Sequence, residues 1–93
     1  MSNKKRFRAY ISGSVQGVFF RWETKKLAKQ LGINGTVSNL RDGRVEVIAE
    51  GEVKKLKELL NFLDHGPKYA QVSNIEIKWY PFIDEFSSFQ ISH

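Results

Sequence analysis

The chain has 93 residues, 41% of them hydrophobic and 13% aromatic, enough for a core shared by one domain over 1–93, with residues 1–5 read as a flexible lead. A formal charge of +5 and a pI near 9.6 point to anionic partners, because a basic surface raises the local concentration of phosphates. The absence of cysteine excludes disulfides, thiolate chemistry and Cys-ligated zinc. The basic start is not followed by the apolar run of a secretory signal, and no stretch approaches the roughly 18 apolar residues of a membrane span. No membrane partner is therefore expected, and the expected location is cytoplasmic.

From Phe7 to Gly13 apolar and polar residues alternate, which is strand periodicity. After a loop, Phe20, Thr24, Leu27, Ala28 and Leu31 recur at helical spacing, and Gly32 stands where a left-handed C-terminal residue is wanted. Ile33 to Leu40 and Arg44 to Glu50 read as two strands joined through Asp42-Gly43, a short-range hairpin signal, with Val45, Val47 and Ala49 on one face. Val53, Leu56, Leu59, Leu60 and Leu63 form one helical stripe, stopped by His65-Gly66-Pro67. Ile75, Ile77 and Trp79 alternate in a further strand, Pro81 to Glu85 reads as a loop, and Phe89 with Ile91 suggests a short final strand. This order predicts an α+β ferredoxin-like βαββαβ sandwich: two helices on one face of an antiparallel sheet, with a short extra C-terminal strand. Such a fold hosts enzymes, metal carriers and RNA binders, so function has to come from a site.

The informative stretch is Gly13-Ser14-Val15-Gln16-Gly17-Val18-Phe19-Phe20-Arg21, between the first strand and the first helix. Glycines let successive backbone N–H groups converge on an anion, and the helix that follows adds its positive end. Arg21 offers a planar fork for two phosphate oxygens, although spacing alone also allows an ordinary tight connection with a solvated arginine. Neither the P-loop nor the dinucleotide fingerprint fits, because no Gly-Lys-Ser/Thr follows and the glycine spacing differs. Asn39, at the end of the second strand, is the other candidate. The expected topology sets that strand parallel to the first, so the loop and Asn39 share one edge of the sheet; alone, an asparagine there also suits a turn.

GSVQGVFFR followed by NGTVSNLRDGRVEVIAEG resembles the acylphosphatase family, whose signatures are a Gly-x-Val-Gln-Gly-Val-x-Phe-Arg loop and a Gly-aromatic-Val-x-Asn strand leading into a Gly-x-Val hairpin. The similarity runs from about Phe7 to the end of the chain. It implies hydrolysis of the carboxyl-phosphate anhydride bond of small acyl phosphates to carboxylate and inorganic phosphate. The signature arginine falls on Arg21 and the signature asparagine on Asn39, with Ser14, Val15, Gln16, Gly17, Val18, Phe19 and Phe20 as the backbone phosphate cradle. Direct water attack, no cofactor, no metal and a monomer are the accompanying expectations. Thr36 departs from the pattern, occupying the position of the usual aromatic residue.

Other signals are weaker. His65 and His93 are the only histidines and lack paired metal-ligand spacing; His65 suits a favourable place at a helix C-terminus. Glu46 and Glu50 are expected to be solvent-exposed, and two lysine groups, 25, 26, 29 and 54, 55, 57, to be solvated helix faces. Trp79, Tyr80, Phe82, Phe86 and Phe89 are expected in the core and sheet packing. Arg44-Val45-Glu46-Val47-Ile48-Ala49-Glu50 lacks the stacking aromatics of an RNA-binding strand, so nucleic acid is not the expected partner. A basic phosphate- or nucleic-acid-binding module without turnover is the competing reading.

Overall fold

Apolar residues at period two put Phe7, Ala9 and Ile11 on one face of β1 (Lys4–Ser14), where all three are buried. The computed structural model describes residues 3–92, so His93 lies outside them. After β1 come α1 (Phe20–Gln30), β2 (Asn34–Asn39), β3 (Val45–Glu52), α2 (Val53–His65), β4 (Gln71–Pro81) and β5 (Phe89–Ser92). The strands lie in the order β4-β1-β3-β2-β5. β1 is antiparallel to β3 and β4, and β2 is antiparallel to β3, as the ferredoxin-like reading requires. The extra strand, β5, joins β2 in parallel and makes the five-stranded sheet mixed. β1 begins at Lys4, paired with Glu52, so residues 4 and 5 of the expected flexible lead belong to the sheet.

Both helices bury their apolar stripes against the same sheet face. Phe20, Thr24 and Ala28 of α1 and Leu56, Leu59 and Leu63 of α2 join Phe7, Ala9, Val37, Val45, Val47 and Phe89 in the core. The Thr24 hydroxyl donates to the Phe20 carbonyl at 2.7 Å, which satisfies a polar group inside that stripe. Gly66, at φ +75, ends α2 where the sequence places the stop, and His65 donates from Nδ1 to the Asn61 carbonyl at 2.8 Å.

The opposite face holds two corrections. Glu50 is 2% exposed, not solvated: the segment from 82 to 88 leaves β4 at one edge, crosses this face and enters β5 at the other. Ile83 and Glu85 donate their backbone N–H groups to the two Glu50 carboxylate oxygens at 2.9 Å each, and Arg6 pairs with Glu50 at 3.3 Å and with Glu85 at 2.6 Å. Burial pushes the Glu50 pKa up, but the two amide donors and the Arg6 guanidinium outweigh it and hold the carboxyl below its ordinary value. Glu46 is only partly exposed and pairs with Arg8 at 3.5 Å. The second correction concerns the aromatic group. Phe89 is buried and Phe82 and Phe86 half-buried, whereas Trp79 and Tyr80 remain exposed because β4 is an edge strand with a neighbour on one side only. Trp79 still meets Phe7 edge-on, with ring centroids 5.7 Å apart.

Candidate active site

Because β1 and β2 are both antiparallel to β3, they run parallel to each other and end on the same sheet edge. Asn39 pairs with Val45, and Val45 with Ile11, so Asn39 stands in the row just before β1 enters its loop. The β1–β4 register shifts between Ser12 and Gly13. Gly13 is required there: its φ is +124, and a Cβ would sit 2.1 Å from the Gln71 carbonyl oxygen. Gly17, at φ +74, turns the chain again, and Phe19 adopts the left-handed region at φ 64, which a bulky non-glycine residue enters only under constraint. The Phe19 carbonyl accepts the Glu23 N–H at 2.9 Å, but no side chain caps α1. The first-turn N–H groups, which have no intrahelical partners, therefore stand open at the positive end of the helix.

A side chain fixes this loop against the neighbouring hairpin. Gln16 Nε2 donates to the Leu40 carbonyl at 2.8 Å and to the Arg44 carbonyl at 3.0 Å, the two residues that close the β2–β3 turn. The turn is held in its own right by Asp42, which accepts the Arg44 N–H at 3.1 Å and Nε at 2.8 Å. The Arg44 amide, then its guanidinium, hold the Asp42 carboxyl below its ordinary value.

The structure brings Arg21 and Asn39 to one cavity of about 320 Å³. Of the expected cradle, Val15, Gly17, Phe19 and Phe20 line it. Ser14 is exposed at the end of β1, Val18 packs against the core, and Gln16 braces the hairpin; none of the three is among the lining residues. Trp22 and Ile91 complete the wall and had no signal in the sequence: Trp22 is an exposed residue of α1, and Ile91 arrives only because β5 is laid beside β2. Asn39 Oδ1 is buried and has no hydrogen-bond partner, and Arg21 enters no ion pair among the described residues. Thr36 alternates to the helix-free face, opposite Ile48 and Gln90, so its departure from the signature lies away from this cavity. Among the described residues no three His, Cys, Asp or Glu side chains are grouped to hold a metal ion, and no helix is long and apolar enough to cross a membrane.

These features define a ferredoxin-like sandwich with a mostly apolar-walled cavity, holding Arg21 and Asn39, where the glycine-bearing loop meets the end of β2. The family model described as Acylphosphatase matches residues 7–91. The chain is 48% identical over 77 residues to the acylphosphatase of Rubrobacter xylanophilus, covering 83% of this chain and 70% of that one. It is 42% identical over 88 residues to that of Marinobacter nauticus, covering 95% and 96%. A solved acylphosphatase from Coxiella burnetii superposes with a TM-score of 0.90 at 38% identity, over 97% of this chain and 94% of that one. The chain belongs to the acylphosphatase family, hydrolases acting on acyl phosphate anhydrides.

Proposed function

We infer that the acylphosphatase activity of this chain runs by direct attack of water on phosphorus, with Asn39 holding the water. The phosphate is held by Arg21 and by backbone amides of the segment Ser14, Val15, Gln16, Gly17, Val18, Phe19 and Phe20. The P–O bond to the acyl group breaks as the water oxygen bonds to phosphorus, and its electron pair leaves on the carboxylate. That leaving group is a weak base, so no general acid has to protonate it, and the water proton passes to a phosphate oxygen. Catalysis then reduces to positioning and to stabilising charge on the peripheral oxygens, which a guanidinium fork and amides supply. An amide side chain is no base near neutral pH, and its oxygen accepts a hydrogen bond from water.

The observation that carries this reading is the buried, unpartnered Oδ1 of Asn39, a residue that lines the same cavity as Arg21. A buried acceptor without a donor costs about 1–3 kcal/mol, and a substrate water would satisfy it. The chain is taken to work as a single-domain monomer in the cytoplasm, a reducing compartment that its cysteine-free composition fits. Hydrolysis of acetyl phosphate in excess chelator tests the assignment. Wild-type protein turns over steadily, and Arg21→Ala loses about 10² to 10³ in kcat or more, the effect of deleting one preorganised donor. Unchanged turnover in folded Arg21→Ala removes the arginine from the mechanism.

A further inference from the structure

Glu50 is a buried carboxylate that does not line the cavity of Arg21 and Asn39, yet Arg6 and two backbone amides converge on it. Asp84, between the two donors, stands in the left-handed region at φ 53, which aspartate tolerates better than most residues and which turns the amides of Ile83 and Glu85 onto one carboxylate. Arg6 closes the clamp, paired with Glu50 and Glu85 and lying over the Phe86 ring at 5.1 Å. Beyond it the crossing segment is stitched to the start of β2: Asn34 Nδ2 donates to the Phe86 carbonyl at 3.2 Å, and the Gly35 N–H to the Ser88 carbonyl at 3.0 Å. β5 then runs beside β2 from the Gly35–Phe89 pair to the Ser38–Ser92 pair, ending one residue short of Asn39. Without β5, β2 would be an edge strand of the sheet. β5 itself has only four residues and few ladder bonds of its own; Phe89 anchors its start in the core, and the clamp fixes the direction from which it arrives.

We propose that Glu50 and Arg6 are positioning residues for the hydrolysis: by clamping the crossing segment they hold β5 against β2, and so fix Asn39 from the opposite face of the sheet. This rests on Asn39 being the residue that holds the water. Ile91, which lines the cavity, pairs with Val37, and Ser92 with Ser38, so β5 supports β2 up to the catalytic position. A buried ion pair adds little net stability, because the cost of burying both charges offsets most of their attraction. What the pair specifies is one arrangement of the segments it joins, here the path that delivers β5. The phosphate side of the cavity is held separately, by the loop that Gln16 braces, so the clamp acts on the water rather than on the anion.

The test is a double-mutant cycle between Glu50→Gln and Asn39→Ala, reading kcat on acetyl phosphate and the inhibition constant of inorganic phosphate, each variant assayed well below its own thermal midpoint. Glu50→Gln alone lowers kcat by about tenfold, the effect of a small misplacement, and leaves phosphate inhibition unchanged. Added to Asn39→Ala it lowers kcat no further. Arg6→Lys, which keeps the charge but loses the fork that reaches both carboxylates, repeats the cycle with a smaller perturbation. Leu60→Ala, in α2 and away from the clamp, loses stability but keeps kcat. The proposal is overturned by wild-type kcat in folded Glu50→Gln and Arg6→Lys, by the same fractional loss with and without Asn39, or by an equal kcat loss in Leu60→Ala. Near-wild-type turnover of Asn39→Ala instead overturns the water-holding role on which the clamp's effect rests.

Discussion

Asn39 and Gln16 divide the end of β2 between them. Asn39 lines the cavity, and its buried Oδ1 has no partner, while the Gln16 amide holds the carbonyl of the next residue, Leu40, and that of Arg44. Gln16 is thus a positioning residue: the bonds fix the loop that carries Arg21 relative to the strand that carries Asn39. Gln16→Leu removes two hydrogen bonds, each worth about 0.5–1.5 kcal/mol, and urea denaturation should report a loss of that order. Turnover of acetyl phosphate should fall by about tenfold or more as the two proposed catalytic groups lose their register. Gln16→Glu, nearly isosteric but facing two carbonyls without an N–H to donate, should not rescue either quantity; full rescue would dismiss the hydrogen bonds as the cause. The placement of Arg21 was legible in the nine-residue spelling of the loop, and that of Asn39 in the second signature at the end of β2. Gln16 was legible only as part of that spelling, since its role depends on a partner more than twenty residues away.

At the scale of elements, strand and helix positions followed from periodicity because each element buries one face against a common core. The segment from 82 to 88 did not, since its conformation is set by Glu50 and Arg6 across the sheet rather than by its own pattern. Glu50 sits at i+4 from Glu46 on the same strand face, and only the crossing of that segment separates a buried carboxylate from a half-exposed one. The folded-state pKa of Glu50 lies below the unfolded value of 4.5, so its contribution is complete above that value and is lost as pH falls through the lower, folded one. Glu50→Gln should cost about 1–3 kcal/mol at neutral pH, by leaving one of the two amide donors unmatched. The stability gap between wild type and Glu50→Gln should then narrow as pH drops below about 4.5. Denaturation midpoints across pH 3–7 check this, and a gap independent of pH would contradict it.

For the whole molecule, the βαββαβ order sets the ends of β1 and β2 on one edge, and the glycine-bearing loop spans the gap toward β2. That much follows from sequence order and crossover geometry. The place of Ile91 in the cavity wall does not, because it depends on where the connection beyond β4 lays β5, and no periodicity relates the two. The positive charge of the chain favours encounter with phosphates, and the proposed mechanism divides the cavity's work, assigning the anion to Arg21 and the amides and the water to Asn39. The most direct test is the pair of constants for Asn39→Ala, kcat on acetyl phosphate and the inhibition constant of inorganic phosphate. A loss of about 10² to 10³ in kcat with phosphate inhibition unchanged is the predicted result. Near-wild-type turnover, or a loss of phosphate binding that matches the loss of rate, would contradict it.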